Sequence, residues 1–271
     1  MAVIYFVLLC FLVFTMLPLV YLVVTAFKPM DELFIWPPKF YVKRPTPSNF
    51  ESLLTAMNGF TVPFTRYVFN SLFTTLASVL GTMVVCGMGA YGLSKFRFLG
   101  SSLIFSVVIA TLMFSPQVTQ IPTYMIVSGL HLTDTYWALI LPKLPTALYL
   151  FLTKQFIDQI PNAYIESARM DGAGEWRCFA RIVLPMCRPA LLTIVVFSFT
   201  AYWNDFFSPM VYTSSEAMKT LPLAIQTIGS GVMRVGASGA AALLMTVPTI
   251  LVFLFMQKRV METMIHSGIK G

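Results

Sequence analysis

The chain has 271 residues, of which 57% are hydrophobic and only 11% charged, and its mean hydropathy is +0.78. Soluble domains carry about 25% charged residues, so a chain this poor in charge could not cover its own surface in water; its solvent is lipid. The net charge of +7 comes from Lys and Arg in short runs between apolar stretches, which fits the positive-inside bias of a membrane protein and excludes the clustered basic face of a nucleic-acid binder.

A spanning helix needs about 20 largely apolar residues, and six stretches qualify. Unpaired backbone groups are costly in lipid, so each stretch reads as helix and the fold as all-α and polytopic. The first, 2–27, is uncharged. It has no charged n-region and no A-x-A-like site after it, so it reads as a retained helix, not a signal peptide. A Pro-rich segment from Lys28 to Arg66 follows, with Trp36 and Tyr41 suited to the membrane interface. The second and third spans, 67–94 and 99–130, carry no charge. The fourth, 135–153, holds Lys143; the fifth, 189–212, holds Asp205; the sixth, 235–257, holds none. Pro18, Pro116, Pro122, Pro142, Pro145, Pro209 and Pro248 predict kinks.

Gly87-Met88-Gly89-Ala90-Tyr91-Gly92 fits a dinucleotide fingerprint by letter. That fingerprint wants a preceding strand and an acidic residue about 20 residues on, and no acidic residue occurs between Glu51 and Asp134. Close helix packing through small residues is the better reading. Cys10, Cys86, Cys178 and Cys187 form no C-x-x-C pair, which argues against a disulfide framework or zinc site. His131 and His266 read as loop and tail residues.

Lys95, Arg97, Lys154, Arg169, Arg177, Arg181, Arg188, Lys258, Arg259 and Lys270 fall on one side of the six spans. Lys28, Lys39, Lys43, Arg44, Arg66, Lys219 and Arg234 fall on the other. The excess predicts that both termini and the loop 154–188 are cytoplasmic. This loop is too long for a simple turn. Pro161 suits a first helical position, with the helix running on to Met170, and Asp171-Gly172 is a stop signal. Glu175 to Val183 reads as a second, amphipathic helix with Trp176, Phe179 and Ala180 toward one side, closed by Leu184-Pro185. The small residues Ala163, Ser167 and Ala168 would let another protein come close, and Glu166 and Asp171 would anchor its basic residues. An ordinary loop helix lying on the membrane explains the same residues equally well.

Glu166-Ser167-Ala168, three residues, Gly172, nine residues, then Ile182-Val183-Leu184-Pro185 resembles the EAA loop of ATP-binding-cassette (ABC) importer permeases, whose pattern is E-A-A, G, I-x-L-P at the same spacing. Ser167 stands for the first alanine, small for small. Tyr202-Trp203-Asn204-Asp205 with Pro209, the ending His266 to Gly271, and the Phe27-Lys28, Pro37-Pro38 and Ser48-Asn49-Phe50 opening resemble the carbohydrate group, the smaller permease of the maltose transporter in particular.

The resemblance implies a type I importer permease, a transport subunit and not an enzyme, in the plasma membrane of a bacterium. It would form half of a pore for a sugar or oligosaccharide. Implied partners are a second permease subunit, two ATPase subunits and an extracellular solute-binding protein. The chain has no G-x-x-x-x-G-K-[ST] loop, so it would hold no cofactor, and ATP and Mg would belong to the ATPase. The implied contact with that ATPase is Glu166, Ser167, Ala168, Asp171, Gly172 and Ala173, with Ile182, Leu184 and Pro185. The loop Thr213 to Arg234 would reach the binding protein. Polar residues within the spans are Asn70, Gln117, Gln120, Lys143, Asn204 and Asp205. Ionisable groups at membrane depth usually face a pore or a partner, so Lys143, Asp205, Asn70 and Asn204 are pore candidates, with Tyr202 and Trp203 as sugar-stacking surfaces. Snorkelling of Lys143 and a helix-end place for Asp205 remain the alternatives. A self-sufficient secondary transporter would need an internal repeat and midplane carboxylates; no repeat is visible and Asp205 is the sole candidate.

Overall fold

The computed structural model describes residues 1–57, 61–96, 98–228 and 235–268. Among them there is helix and no strand. Three helices are long and apolar enough to cross a membrane as single rods: α1 (Ala2–Phe27), α4 (Phe64–Lys95) and α15 (Val235–Gly268). The short α2 (Met30–Leu33) and α3 (Ser48–Met57) lie between the first two rods.

Three further spans are broken. α5 (Ser101–Thr111) and α6 (Pro116–Gly129) meet at 112°. The stretch 99–130, expected as one run, is therefore bent back on itself. Pro116 cannot extend a helix arriving from its N-terminal side, and Ser115 before it sits at φ −65°, ψ 137°, as a pre-proline residue prefers. α7 (Tyr136–Ile140), with a 3-10 turn Leu141–Lys143, meets α8 (Ala147–Asp158) at 45°, across Pro142 and Pro145. This span reaches Asp158, so the loop begins five residues later than position 154. Beyond α9 (Asn162–Met170), α10 (Glu175–Cys178) passes through a π turn, Phe179–Val183, into α11 (Leu184–Met186). α12 (Arg188–Trp203) leaves this segment at 77°, where Cys187 precedes Arg188-Pro189. The expected helix 175–183 is thus two geometries. Phe179 is buried, Trp176 stacks obliquely on it at 5.7 Å yet is exposed, and Ala180 is exposed too, so the three do not share a face. The stretch 189–212 also breaks: α12 stops at Trp203, and α13 (Phe207–Tyr212) starts after Asp205, whose Oδ1 accepts the Ser208 N–H at 3.0 Å as a cap. A 3-10 turn Glu216–Met218 and α14 (Leu221–Ile228) lead toward α15.

α4 is the spine. It lies against α7, α8, α12 and α14. Its buried positions Tyr67, Asn70, Ser71, Thr74, Thr75, Ser78, Val79, Thr82, Cys86, Gly87, Ala90 and Tyr91 recur every three or four residues, the period of one helical face. Most are small or polar. Lipid is as apolar as leucine and gives helices no hydrophobic reason to associate, so close approach and hydrogen bonds do the work. The glycines of the false dinucleotide fingerprint serve that approach: a Cβ at Gly87 would sit 3.5 Å from Phe179 and one at Gly89 3.2 Å from Leu150. α15 packs on α1, α3 and α12. Gly236 leaves room for Asn49, whose Nδ2 donates to the Ala26 and Lys28 carbonyls at 3.0 and 2.7 Å and satisfies the open end of α1.

Candidate functional site

Two regions gather the residues singled out by sequence. The first is the end of the bundle built by α9. Proline at 161 caps the helix start, and Gly172 ends it at φ +80°, a conformation costly for any side chain with a Cβ. Ile165 turns into the protein at 2% exposure, packed with Ile157, Ile160, Phe179 and Val183. Ala163, Glu166, Ser167 and Met170 face out, and Asp171 and Gly172 are exposed. Ser167 Oγ donates to the Ala163 carbonyl at 2.8 Å, so even its hydroxyl is turned along the helix, leaving a smooth face. Ala173 and Leu184 pack beneath, Ile182 is half-buried, and Pro185 is exposed. A cleft of about 370 Å³ opens beside this helix, lined by Lys95, Asn162, Ile165, Glu166 and Arg169.

The sequence reading missed the network that holds α9. Lys95 Nζ, at the end of α4, donates to the Ile160 carbonyl at 2.6 Å and to Asn162 Oδ1 at 3.0 Å. Glu175 accepts from Arg169 Nε at 2.7 Å and from the Tyr91 hydroxyl at 2.8 Å. Arg169 and Glu175 are six residues apart across a turn, a spacing with no helical signature.

The second region lies where the spans break. Lys143 Nζ and Asp205 Oδ2 pair at 2.8 Å, their side chains 12% and 17% exposed. The ammonium also stands 5.4 Å from the centre of the Tyr202 ring. Each charge comes from a helix interruption, and such discontinuities free backbone groups that polar side chains re-satisfy. The Tyr202 hydroxyl donates to the Lys143 carbonyl at 2.9 Å and lies within reach of Thr82 and Thr146 Oγ1 at 3.1 and 3.3 Å. A cavity of about 300 Å³ borders the pair, its polar wall formed by Thr119, Gln120, Thr123, Lys143, Asp205 and Ser208. Thr119, Gln120 and Thr123 share one face of α6; the i, i+1, i+4 spacing was the available signal, of which only Gln120 was noticed.

Other expected pore residues are elsewhere. Trp203 is 3% exposed, stacked on Phe199 at 5.8 Å, with Nε1 donating to the Met245 carbonyl at 2.9 Å. No ring face remains for a sugar. Asn70 is fully buried: its Nδ2 donates to the Ala217 and Lys219 carbonyls, both at 2.8 Å, and its Oδ1 accepts from Tyr136 at 2.7 Å. Asn204 is exposed and donates to the Thr200 carbonyl of its own helix at 2.8 Å. Buried polar groups in membrane helices find partners before they find ligands.

At the end of α4 opposite Lys95 lies a second turn, 213–219, held by Asp134 and α4. Asp134 Oδ1 accepts the Ser214 and Ser215 N–H groups at 3.0 and 2.9 Å and the Ser215 hydroxyl at 2.9 Å. These donors, the Ser215 backbone first, hold its carboxyl below the usual range. Burial pushes Glu216 up, but Lys219, 2.5 Å away, and the Tyr67 hydroxyl outweigh it and leave the carboxyl lowered. The loop Thr213 to Arg234 is described as far as Ile228; its remainder, like the tail motif beyond Gly268, lies outside the described residues.

The architecture is a polytopic helical bundle with a short exposed helix at one end and a cavity bordered by the Lys143–Asp205 pair at broken helices. Residues 81–265 match the family model described as binding-protein-dependent transport system inner membrane component, and the chain belongs to that family. It is 31% identical to the putative ABC transporter permease protein ORF2 of Caldicellulosiruptor sp. (strain Rt8B.4), covering 94% of this chain and 91% of that one. It is 30% identical to the arabinooligosaccharides transport system permease protein AraQ of Bacillus subtilis (strain 168), covering 84% and 81%. The fold superposes with a TM-score of 0.81, at 22% identity over 95% of both chains, on a chain of a bacterial ABC transporter involved in the import of the acidic polysaccharide alginate. The chain is thus a multi-pass permease subunit of an ABC importer, and not itself an enzyme.

Proposed function

We propose that the chain forms half of a translocation pore for a sugar or oligosaccharide, paired with a second permease. Two ATPase subunits would bind the ATP and Mg, one of them docking on Glu166 to Gly172 of this chain, and an extracellular solute-binding protein would deliver the substrate. The termini and α9 lie on the cytoplasmic side in this reading, where Lys and Arg are in excess. The observation that supports it most is α9 itself. It is a short helix outside the long rods, with Ala163, Glu166, Ser167 and Met170 facing out and a Gly172 turn at φ +80° just beyond its end. The sugar class is supported by AraQ, a relative named for arabinooligosaccharides. It is also supported by a cavity that sets the hydroxyl and amide groups of Thr119, Gln120, Thr123 and Ser208 beside apolar residues, with Lys143 and Asp205 paired at its border.

The test is uptake by the assembled transporter. Glu166→Lys or Gly172→Asp is expected to abolish ATP-dependent uptake, by loss of the ATPase or of coupling, while the permease pair still assembles. Normal uptake with a stable complex in both variants would overturn the docking role.

A further inference from the structure

The same helix, α4, grips both of the regions that must communicate. Its last turn holds α9 at two points: Lys95 binds the Ile160 carbonyl and Asn162 at the helix start, and Tyr91 reaches Arg169 near its end through Glu175. Its first turns hold the 213–219 turn as closely. Arg66 Nε and Asn70 Nδ2 donate to the Ala217 carbonyl at 3.3 and 2.8 Å, Asn70 also to that of Lys219, and Tyr67 donates to Glu216 at 2.7 Å. Ser71 Oγ accepts the Leu221 N–H at 2.7 Å.

From end to end, with both grips inside it, α4 runs for 32 residues without a proline, roughly 48 Å at 1.5 Å per residue. α1, α6 and α15 contain Pro18, Pro122 and Pro248, and the other spans are broken. Sharp bends arise at proline, at Gly/Ser pairs and at interrupted hydrogen-bond ladders; α4 carries four glycines, three of them packed against Leu144, Phe179 and Leu150, and it is the one span among the described residues with neither a proline nor a break. We propose that α4 is the transmission rod of this permease: Tyr91, Lys95 and Glu175 couple it to α9, Arg66 and Asn70 couple it to the Glu216–Lys219 turn, and displacement of one end moves the other. These are positioning residues, and the proposal rests on the reading that an ATPase docks on α9.

The test uses the transporter assembled with its ATPase, on a Cys10→Ser background, with spin labels at Ser214→Cys and Phe40→Cys. With the parent chain, ATP is expected to shift the distance distribution between the labels. Tyr91→Phe with Lys95→Met is expected to cut that shift at least fivefold, while the ATPase stays bound and basal hydrolysis stays within twofold. Lys95→Arg should retain it. Val84→Gly with Val85→Gly, on the exposed side of α4 and away from both grips, should cut it about threefold by softening the rod. A full shift in the Tyr91/Lys95 pair overturns the proposal. If that pair releases the ATPase, Tyr91→Phe alone decides, and a normal shift there overturns it too. Failure of the parent chain to retain any ATPase would instead sink the docking reading.

Discussion

α1 and α4 are both long, apolar in composition and free of acidic residues, yet they meet their surroundings in opposite ways. From Val3 to Val20, α1 is exposed on every side of the chain, and only its end near Ala26 packs. α4 buries a stripe of small and polar side chains along seven turns. Hydropathy alone ranks α1 as the better membrane helix, and it is the one of the two that the rest of the chain holds less. What makes a helix central in lipid is the capacity for close approach and hydrogen bonding, which apolar bulk does not supply.

Substitutions can break this contrast. The largest effect should come from the charges beside α4. Lys143→Met would leave Asp205 buried without its partner and destabilise the chain by about 3–5 kcal/mol; Lys143→Met with Asp205→Leu should recover most of that. Thermal unfolding of the purified chain in detergent checks both, and equal losses in the single and double variants would refute the pairing. Next, Ser78→Leu in the fully buried stripe would overpack the interface and cost about 1–3 kcal/mol. Phe11→Ala on α1, 66% exposed, should change stability by less than about 0.5 kcal/mol. A cost there equal to that of Ser78→Leu would mean α1 is packed in a way that the chain alone does not reveal.

The smallest effect concerns the turn that Asp134 holds. Asp134 has its carboxyl lowered by the Ser214 and Ser215 donors, so its stabilisation is complete above the unfolded-state value of roughly 4. It is lost as pH falls through the lower folded value. Amide exchange at Ser214 and Ser215 should therefore rise below about pH 4 in the parent chain. Asp134→Ala, which removes the acceptor, should be fast at all pH values. Unchanged exchange across that range would show that Asp134 does not hold the turn.

The same contrast explains how much was legible in sequence. Apolar runs located all six stretches, because backbone satisfaction in lipid leaves a strong, local signal. The bends at 111–116 and 143–147 were announced only as proline positions, since a proline states that a helix is disturbed and not by how much. The α9 segment was readable because Pro161 and Gly172 act within a few residues of themselves. The roles of Asn70 and Trp203 were misjudged: a polar or amphipathic side chain in a span looks the same whether it faces a cavity or a carbonyl 147 or 42 residues away. The Tyr91–Glu175–Arg169 and Lys95 contacts were invisible for the same reason, being set by which helices meet.

The central claim is that α9 is the contact with a separate ATPase. Photo-crosslinkers placed one at a time from Asn162 to Met170, in cells expressing the whole transporter, test it most directly. Strong crosslinks to the ATPase from Ala163, Glu166, Ser167 and Met170, with none from the inward Ile165, are the expected pattern. Absence of ATPase crosslinks along the whole helix, with lipid or the permease itself labelled instead, would contradict it.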